Sequence, residues 1–266
     1  MATVGVRLAG GGGPGTLAAA AAVVDAGADE LWVVDRTPPA AAGAEPFTLL
    51  GALAVRTAAV TLGVAVPIDT GRAPALIAKQ TTTVDVLSGG RAALAFGLTG
   101  AGPPPAGDAA GRQAEMAAIC RAMFRHEEPT VTGRHFRIDR AANRPRPVRV
   151  GGPRLLVALP AGDPPADVDG WLVPADPVSV RAAAARRPAG IALIGVAAVA
   201  VDRSPRAGPA PGGPAYRGDA AAVTAAVADL FAAGLDGVIV DGGRPDPVDV
   251  AAVTAAVRAA RAAADR

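Results

Sequence analysis

Residues Leu76 to Gly97 read LIAKQTTTVDVLSGGRAALAFG. An amphipathic run ends at Ser88-Gly89-Gly90-Arg91, and an apolar run, Ala92 to Phe96, begins at once. Glycine just past a helix end supplies the left-handed turn that other residues resist. Five apolar residues without alternation suit a strand buried on both faces, as in a parallel sheet. The stretch is therefore a helix-to-strand joint of a repeating βα protein.

The same grammar extends in both directions. Buried strands are expected at Thr3–Leu8, Glu30–Arg36, Val60–Pro67, Ala92–Gly97, Leu155–Leu159, Asp169–Val173, within Ile191–Asp202, and in the run that ends at Asp241. Helical segments are expected before Gly27, over Phe47–Thr57, over Pro74–Ser88, over Arg112–Phe124, over Pro177–Ala185, over Ala225–Ala233 and at the end of the chain. Eight strands alternating with helices or helix remnants predict a (β/α)8 TIM barrel rather than a doubly wound sheet of five or six strands. One domain spanning residues 1–266 is expected. The gap Pro160–Val168, PAGDPPADV, holds three prolines and is too short for a full helix, so one helix is clipped.

Composition narrows the function classes. Hydrophobic residues make up 51% and aromatics 3%, so Ala, Val and Leu fill the core. The net charge of +2 is spread among interleaved signs, and no basic stripe points to nucleic acid. The single cysteine, Cys120, excludes an internal disulfide and suits a reducing cytoplasm. It reads as a small core residue of a helix. Leu17 to Val24 is apolar, but Asp25 and Asp29 follow it well short of the ~20 residues a membrane span needs. His126 and His135 share no helical face, and Glu127 and Glu128 are too close in sequence to His126 to converge with it, so no metal site is expected. Gly10–Gly13 lacks the Lys and Ser/Thr spacing of a P-loop and reads as a flexible loop or a weak phosphate cradle.

The joint also carries Ala78, Lys79, Thr83, Asp85, Leu87, Ser88, Gly90, Arg91 and Gly97 in one fixed spacing. In this it resembles the bacterial-luciferase-like oxidoreductases, whose phrase is A-K-x-x-x-T-x-D-x-L-S-x-G-R. Other segments resemble the same family: A-G-A-D with L-W-V at 26–34, T-L-G-V-A-V at 61–66, D-G-W-L at 169–172 and V-A-V-D at 199–202. The likeness runs from Gly15 to Pro247. It implies an enzyme that uses the deazaflavin F420, with FMN as the alternative, and that passes a hydride to or from a small organic substrate. The Ala/Arg-rich composition resembles actinobacterial members of the deazaflavin branch.

The resemblance also implies roles for single residues. Ala65 and Val66 would lie against the flat ring, at a strand where family members often hold a cis non-proline peptide. Gly97, Thr99, Leu159, Gly218 and Asp219 would complete the cofactor site. Asp35 stands where the second strand ends and is the candidate proton donor or acceptor, with Arg36 as an anion anchor. A cap or a salt bridge with Arg36 is the alternative for Asp35. Two departures from the family stand out: Ala73 replaces a usual histidine before Pro74, and the clipped segment after the fifth strand removes a helix N-terminus that often holds a phosphate. They leave open a catalytically silent barrel serving as a binding or assembly subunit, or an FMN-dependent monooxygenase. A homodimer is expected through the helices around Phe47–Arg56 and Pro74–Ser88.

Overall fold

The computed structural model describes residues 3–8, 14–35, 43–97, 108–159, 164–201, 215–241, and the helical residues 254–255, 257–260 and 262–263. In chain order the elements are β1 (Thr3–Arg7), α1 (Pro14–Asp25), β2 (Glu30–Val34), α2 (Pro46–Arg56), β3 (Thr61–Val66), α3 (Pro74–Ser88), β4 (Ala92–Phe96) and α4 (Ala109–Arg125). A two-stranded antiparallel hairpin follows, β5 (Val131–Thr132) with β6 (Arg137–Ile138). Then come β7 (Arg154–Ala158), β8 (Gly170–Pro174), α5 (Pro177–Arg186), β9 (Ala192–Val201), β10 (Ala215–Gly218), α6 (Ala220–Ala232) and β11 (Gly237–Asp241). The sheet order is β10-β9-β11-β1-β2-β3-β4-β7-β8, and β8 also pairs with β9. The fold is thus the eight-stranded parallel (β/α)8 barrel that the strand count predicts, with β10 as a ninth strand on β9. Among the described residues no helix is long and apolar enough to cross a membrane.

Two compact units emerge from the packing, one of residues 33–170 and one of residues 1–32 with 171–266. In the first, β3 and β4 pair in register from Leu62–Ala92 to Val66–Phe96, and β4 pairs with β7 from Ala93–Arg154 to Phe96–Val157. All five residues of β4 are buried, as a strand covered on both sides requires. In the second, β1 pairs with β11 from Thr3–Gly237 to Arg7–Asp241, and β11 pairs with β9. Gly5 leaves room there for the Trp32 indole, which is fully buried and donates to Glu30 Oε2 at 2.7 Å.

The joint that decides the fold is built at the amino end of β4. Gly89 takes φ +71° and its N–H closes α3 on the carbonyls of Asp85 and Val86. Asp85 is completely buried, and its carboxylate accepts N–H bonds from Val148 at 2.8 Å, Arg149 at 3.3 Å and Ala92 at 3.4 Å. Arg91 spends its guanidinium on main-chain carbonyls of Ala54, Thr57, Val60 and Ser88 and on the Thr57 hydroxyl, which ties the end of α2 to the start of β3. Burial pulls the Arg91 guanidinium below its ordinary value.

A second device recurs at the amino ends of other strands. Asp29 donates its N–H to Val4 O at 2.8 Å while its carboxylate accepts from Val4 N–H at 2.9 Å. Asp169 makes the same reciprocal pair with Leu155 (2.8 and 2.7 Å), and Asp236 with Leu193 (2.8 and 2.8 Å). Each aspartate lies directly before one strand and pairs with the second residue of a neighbour, Val4 of β1, Leu155 of β7 or Leu193 of β9. The D-E-L-W, D-G-W and D-G-V phrases are therefore strand-register clips.

The boundaries depart from expectation in three places. Asp35 falls just past β2, which ends at Val34. Residues 215–218, outside every expected element, form β10 and pair with Ala198–Val201. Residues 131–138, outside every expected element, form the β5–β6 hairpin, folded over Glu115 of α4. The described part of the segment between β7 and β8 holds no helix, in keeping with its prolines.

Candidate functional site

In a (β/α)8 barrel the carboxyl ends of the strands, with the loops that follow them, carry the chemistry. Within the unit of residues 33–170 those ends lie side by side. Asp35 N–H donates to Ala65 O at 2.8 Å, and Gly97 N–H donates to Val66 O at 3.0 Å, so the ends of β2, β3 and β4 continue the sheet's bonding beyond their last ladder residue. The next strand over, β7, ends at Ala158, with the half-buried Leu159 after it. Asp35, Ala65, Val66, Gly97 and Leu159 thus share one rim.

Asp35 is 5% exposed. Among the described residues its charged partner is Arg72, thirty-seven residues away in the loop after β3. Arg72 Nε lies 2.8 Å from Asp35 Oδ2, and Thr70 Oγ1 donates to the same oxygen at 3.0 Å. Both bonds fall on Oδ2, which leaves Oδ1 without a partner among the described residues. Arg72 continues outward to Glu45 Oε1 at 3.1 Å and stacks over the Phe47 ring at 5.7 Å. Glu45 caps α2 through the Thr48 N–H and hydroxyl at 2.7 and 2.8 Å. Burial raises its pKa, but the Thr48 and Phe47 hydrogen bonds and the Arg72 charge outweigh that and hold the carboxyl below its ordinary value. The rim therefore presents an oriented carboxylate in a relay of side chains.

Ala65 and Val66 are fully buried. The peptide bonds of β3 are trans, and the cis bond among the described residues is Arg144–Pro145, in the segment before β7. Gly97 takes φ +85°, and a Cβ there would meet Gln113 Nε2 at 2.7 Å and the Ala158 Cβ at 2.9 Å. The glycine makes room first for the Gln113 amide, which donates to Phe96 O and Ala158 O, each at 3.2 Å.

Gly218 and Asp219 belong to the other unit. Gly218 ends β10, and Asp219 is exposed and caps α6 by accepting the Ala222 N–H at 2.8 Å. Its side chain is already spent on the helix N-terminus. Arg36 and Thr99 lie outside the described residues. Of the histidines, His135 contacts Asp108 Oδ2 through Nε2 at 3.1 Å, at the start of α4.

Sequence reading missed Thr70, Arg72 and Gln113. Arg72 had a signal: it is the cation beside Ala73, where the family's histidine is absent, in the short loop of residues 67–73. Gln113 had none, because its role depends on strand ends seventeen and forty-five residues away.

Comparison with known proteins agrees with this architecture. The family model described as luciferase-like monooxygenase matches residues 7–266. No curated protein matches significantly in sequence. Among solved structures the chain is similar to an F420-dependent secondary alcohol dehydrogenase in complex with an F420–acetone adduct, at 17% identity and TM-score 0.79, covering 98% of this chain and 100% of the other. It is similar to the F420-dependent tetrahydromethanopterin reductase of Methanopyrus kandleri at 17% identity and TM-score 0.75, covering 96% and 97%. A long-chain alkane monooxygenase is similar at 12% identity and TM-score 0.72, covering 96% and 90%. The chain belongs to the luciferase-like monooxygenase family.

Proposed function

We propose that this member of the luciferase-like family is an oxidoreductase that uses F420, in preference to FMN, to pass a hydride to or from a small organic substrate. The observation that carries the reading is Asp35: a buried carboxylate at the barrel rim with one oxygen held by Arg72 and Thr70 and the other without a partner among the described residues. Family membership supports the cofactor class, and the two F420-dependent enzymes of the same fold support the preference.

The residues at the rim suit a flat ring. Ala65, Val66 and Gly97 bring small side chains or none, and the buried Gln113 amide ties the last carbonyls of β4 and β7. Leu159 would border the ring, and Thr99 would offer a hydroxyl. For Gly218 and Asp219 the assignment rests on the family resemblance alone and falls to main chain, since the Asp219 carboxylate caps α6. When bound, the cofactor supplies the two-electron chemistry. Asp35 then takes or gives the substrate proton at Oδ1, while Arg72 and Thr70 fix the carboxylate's angle. Arg36 is assigned to an anionic group.

We read the chain as one working domain, residues 1–266, acting in the cytoplasm. It pairs as a homodimer, for which Val55 on α2 and Leu76 and Leu87 on α3 supply apolar side chains 70, 48 and 51% exposed. Light scattering should give twice the chain's 26.0 kDa, and a monomer mass ends the dimer. Fluorescence titration with F420 and with FMN tests the main reading. Tighter F420 binding is expected. Affinity for neither would favour the silent binding subunit, and affinity for FMN alone the monooxygenase.

A further inference from the structure

The relay from Asp35 to Glu45 divides one guanidinium between two carboxylates. Arg72 Nε and Nη2 lie along the same edge of the fork, the edge that grips a single carboxylate by both its oxygens when nothing competes. Here that edge is split. Nε donates to Asp35 Oδ2 at 2.8 Å, while Nη2 lies 3.1 Å from Glu45 Oε1. The guanidinium therefore holds Asp35 by one oxygen, to which the Thr70 hydroxyl also donates at 3.0 Å.

Glu45 is placed to keep the second prong. It is the N-cap of α2, and its Oε2 accepts both the Thr48 N–H and the Thr48 hydroxyl, which fixes the direction of the carboxylate. Its Oε1 is sealed from solvent and makes no hydrogen bond among the described residues, so its charge rests on the ion pair with Arg72 Nη2. A charged oxygen shut away from water is costly without such a cation. The Phe47 ring, two residues further along, lies 5.7 Å from the same guanidinium. The first turn of α2 thus sets the posture of an arginine that reaches the rim.

We propose that Glu45 is a positioning residue for the rim: by occupying Arg72 Nη2 it prevents a bidentate grip on Asp35 and keeps Oδ1 clear of the guanidinium. The purpose of this device rests on the reading of Asp35 as the proton-transfer group and deepens it. A carboxylate gripped at both oxygens has neither left for a substrate proton.

Two variants test it. Glu45→Gln removes the charge with little change of shape, and Glu45→Asp keeps a good helix cap while withdrawing the charge by one methylene. Crystal structures of both should show Arg72 turned so that Nη2 meets Asp35 Oδ1 at about 3 Å. In solution the Asp35 carboxyl carbon, followed by NMR, should shift in both variants. In an Arg72→Lys background the same Glu45 substitutions should leave it in place, because an ammonium is a point charge with no second prong to release. A role confined to capping α2 would give equal shifts in the two backgrounds. Equal shifts, or an unmoved Arg72 in a folded variant, overturn the proposal. The cofactor titrations decide the underlying reading separately. Binding of neither F420 nor FMN overturns the proton-transfer purpose, while the geometry of the variants still decides the role of Glu45.

Discussion

Buried and half-buried aspartates do opposite work at the two ends of the strands. At the amino ends, Asp29, Asp85, Asp169 and Asp236 accept main-chain N–H bonds, and each fixes where a strand begins. At the carboxyl end, Asp35 receives side-chain donors on one oxygen, and the other has no partner among the described residues. A carboxylate filled by backbone cannot meet a substrate without breaking the sheet's register, whereas one steadied by Arg72 and Thr70 can. The motif that identifies the family is thus a structural one, at the amino end of β4, whereas the proposed chemistry lies at the carboxyl ends of the strands.

Four measurements break or sharpen that contrast. Asp85→Ala should cost about 3 kcal/mol in urea denaturation, since it strands buried N–H groups of Val148, Arg149 and Ala92. A loss under about 1 kcal/mol would remove Asp85 from the framework. Asp35→Asn should leave the fold within about 1 kcal/mol of wild type yet lower F420-dependent turnover about a hundredfold. The reverse pattern would make Asp35 one more structural aspartate. The third measurement concerns pH. Burial raises the Glu115 pKa, but N–H bonds from His135, Phe136 and Arg134, with the His135 charge, outweigh it and hold the carboxyl below its ordinary value. Its contribution is therefore present above the ordinary carboxylate range and lost as pH falls through the lowered value. Amide exchange at residues 134–136 should stay slow near neutrality and quicken below pH about 4. Protection unchanged down to pH about 2 would break the assignment. Last, Cys120 is fully buried, and burial pushes its thiol far up. It should not react with a thiol reagent until the chain is unfolded, and rapid labelling of the native protein would contradict its core position.

The architecture was largely readable because its signals are local. Glycine stops, apolar runs and the aspartates before β2, β8 and β11 lie within a few residues of what they control, as in L-S-G-G-R or A-G-A-D. The strand β10 escaped because Ala215–Gly218 is short and carries a polar Arg217, and its pairing depends on β9. The rim escaped for a similar reason. Asp35 could be placed at a strand end, but Arg72 reaches it across thirty-seven residues. Gly97 was read as space for a ring, although its nearest claimant is a side chain from α4. Periodicity names the elements, and contact between distant turns names the site.

The reciprocal bonds between Asp169 and Leu155 have a consequence for how such a chain can be pruned. Ordinarily the crossover helix dictates how two parallel neighbours are staggered. Here that duty passes to one carboxylate and one peptide group, reinforced by Arg121, whose Nη2 lies 2.7 Å from the same Asp169 oxygen. With the stagger secured from beneath, the connection above is released from structural service, and evolution can trim or graft it without resetting the strands.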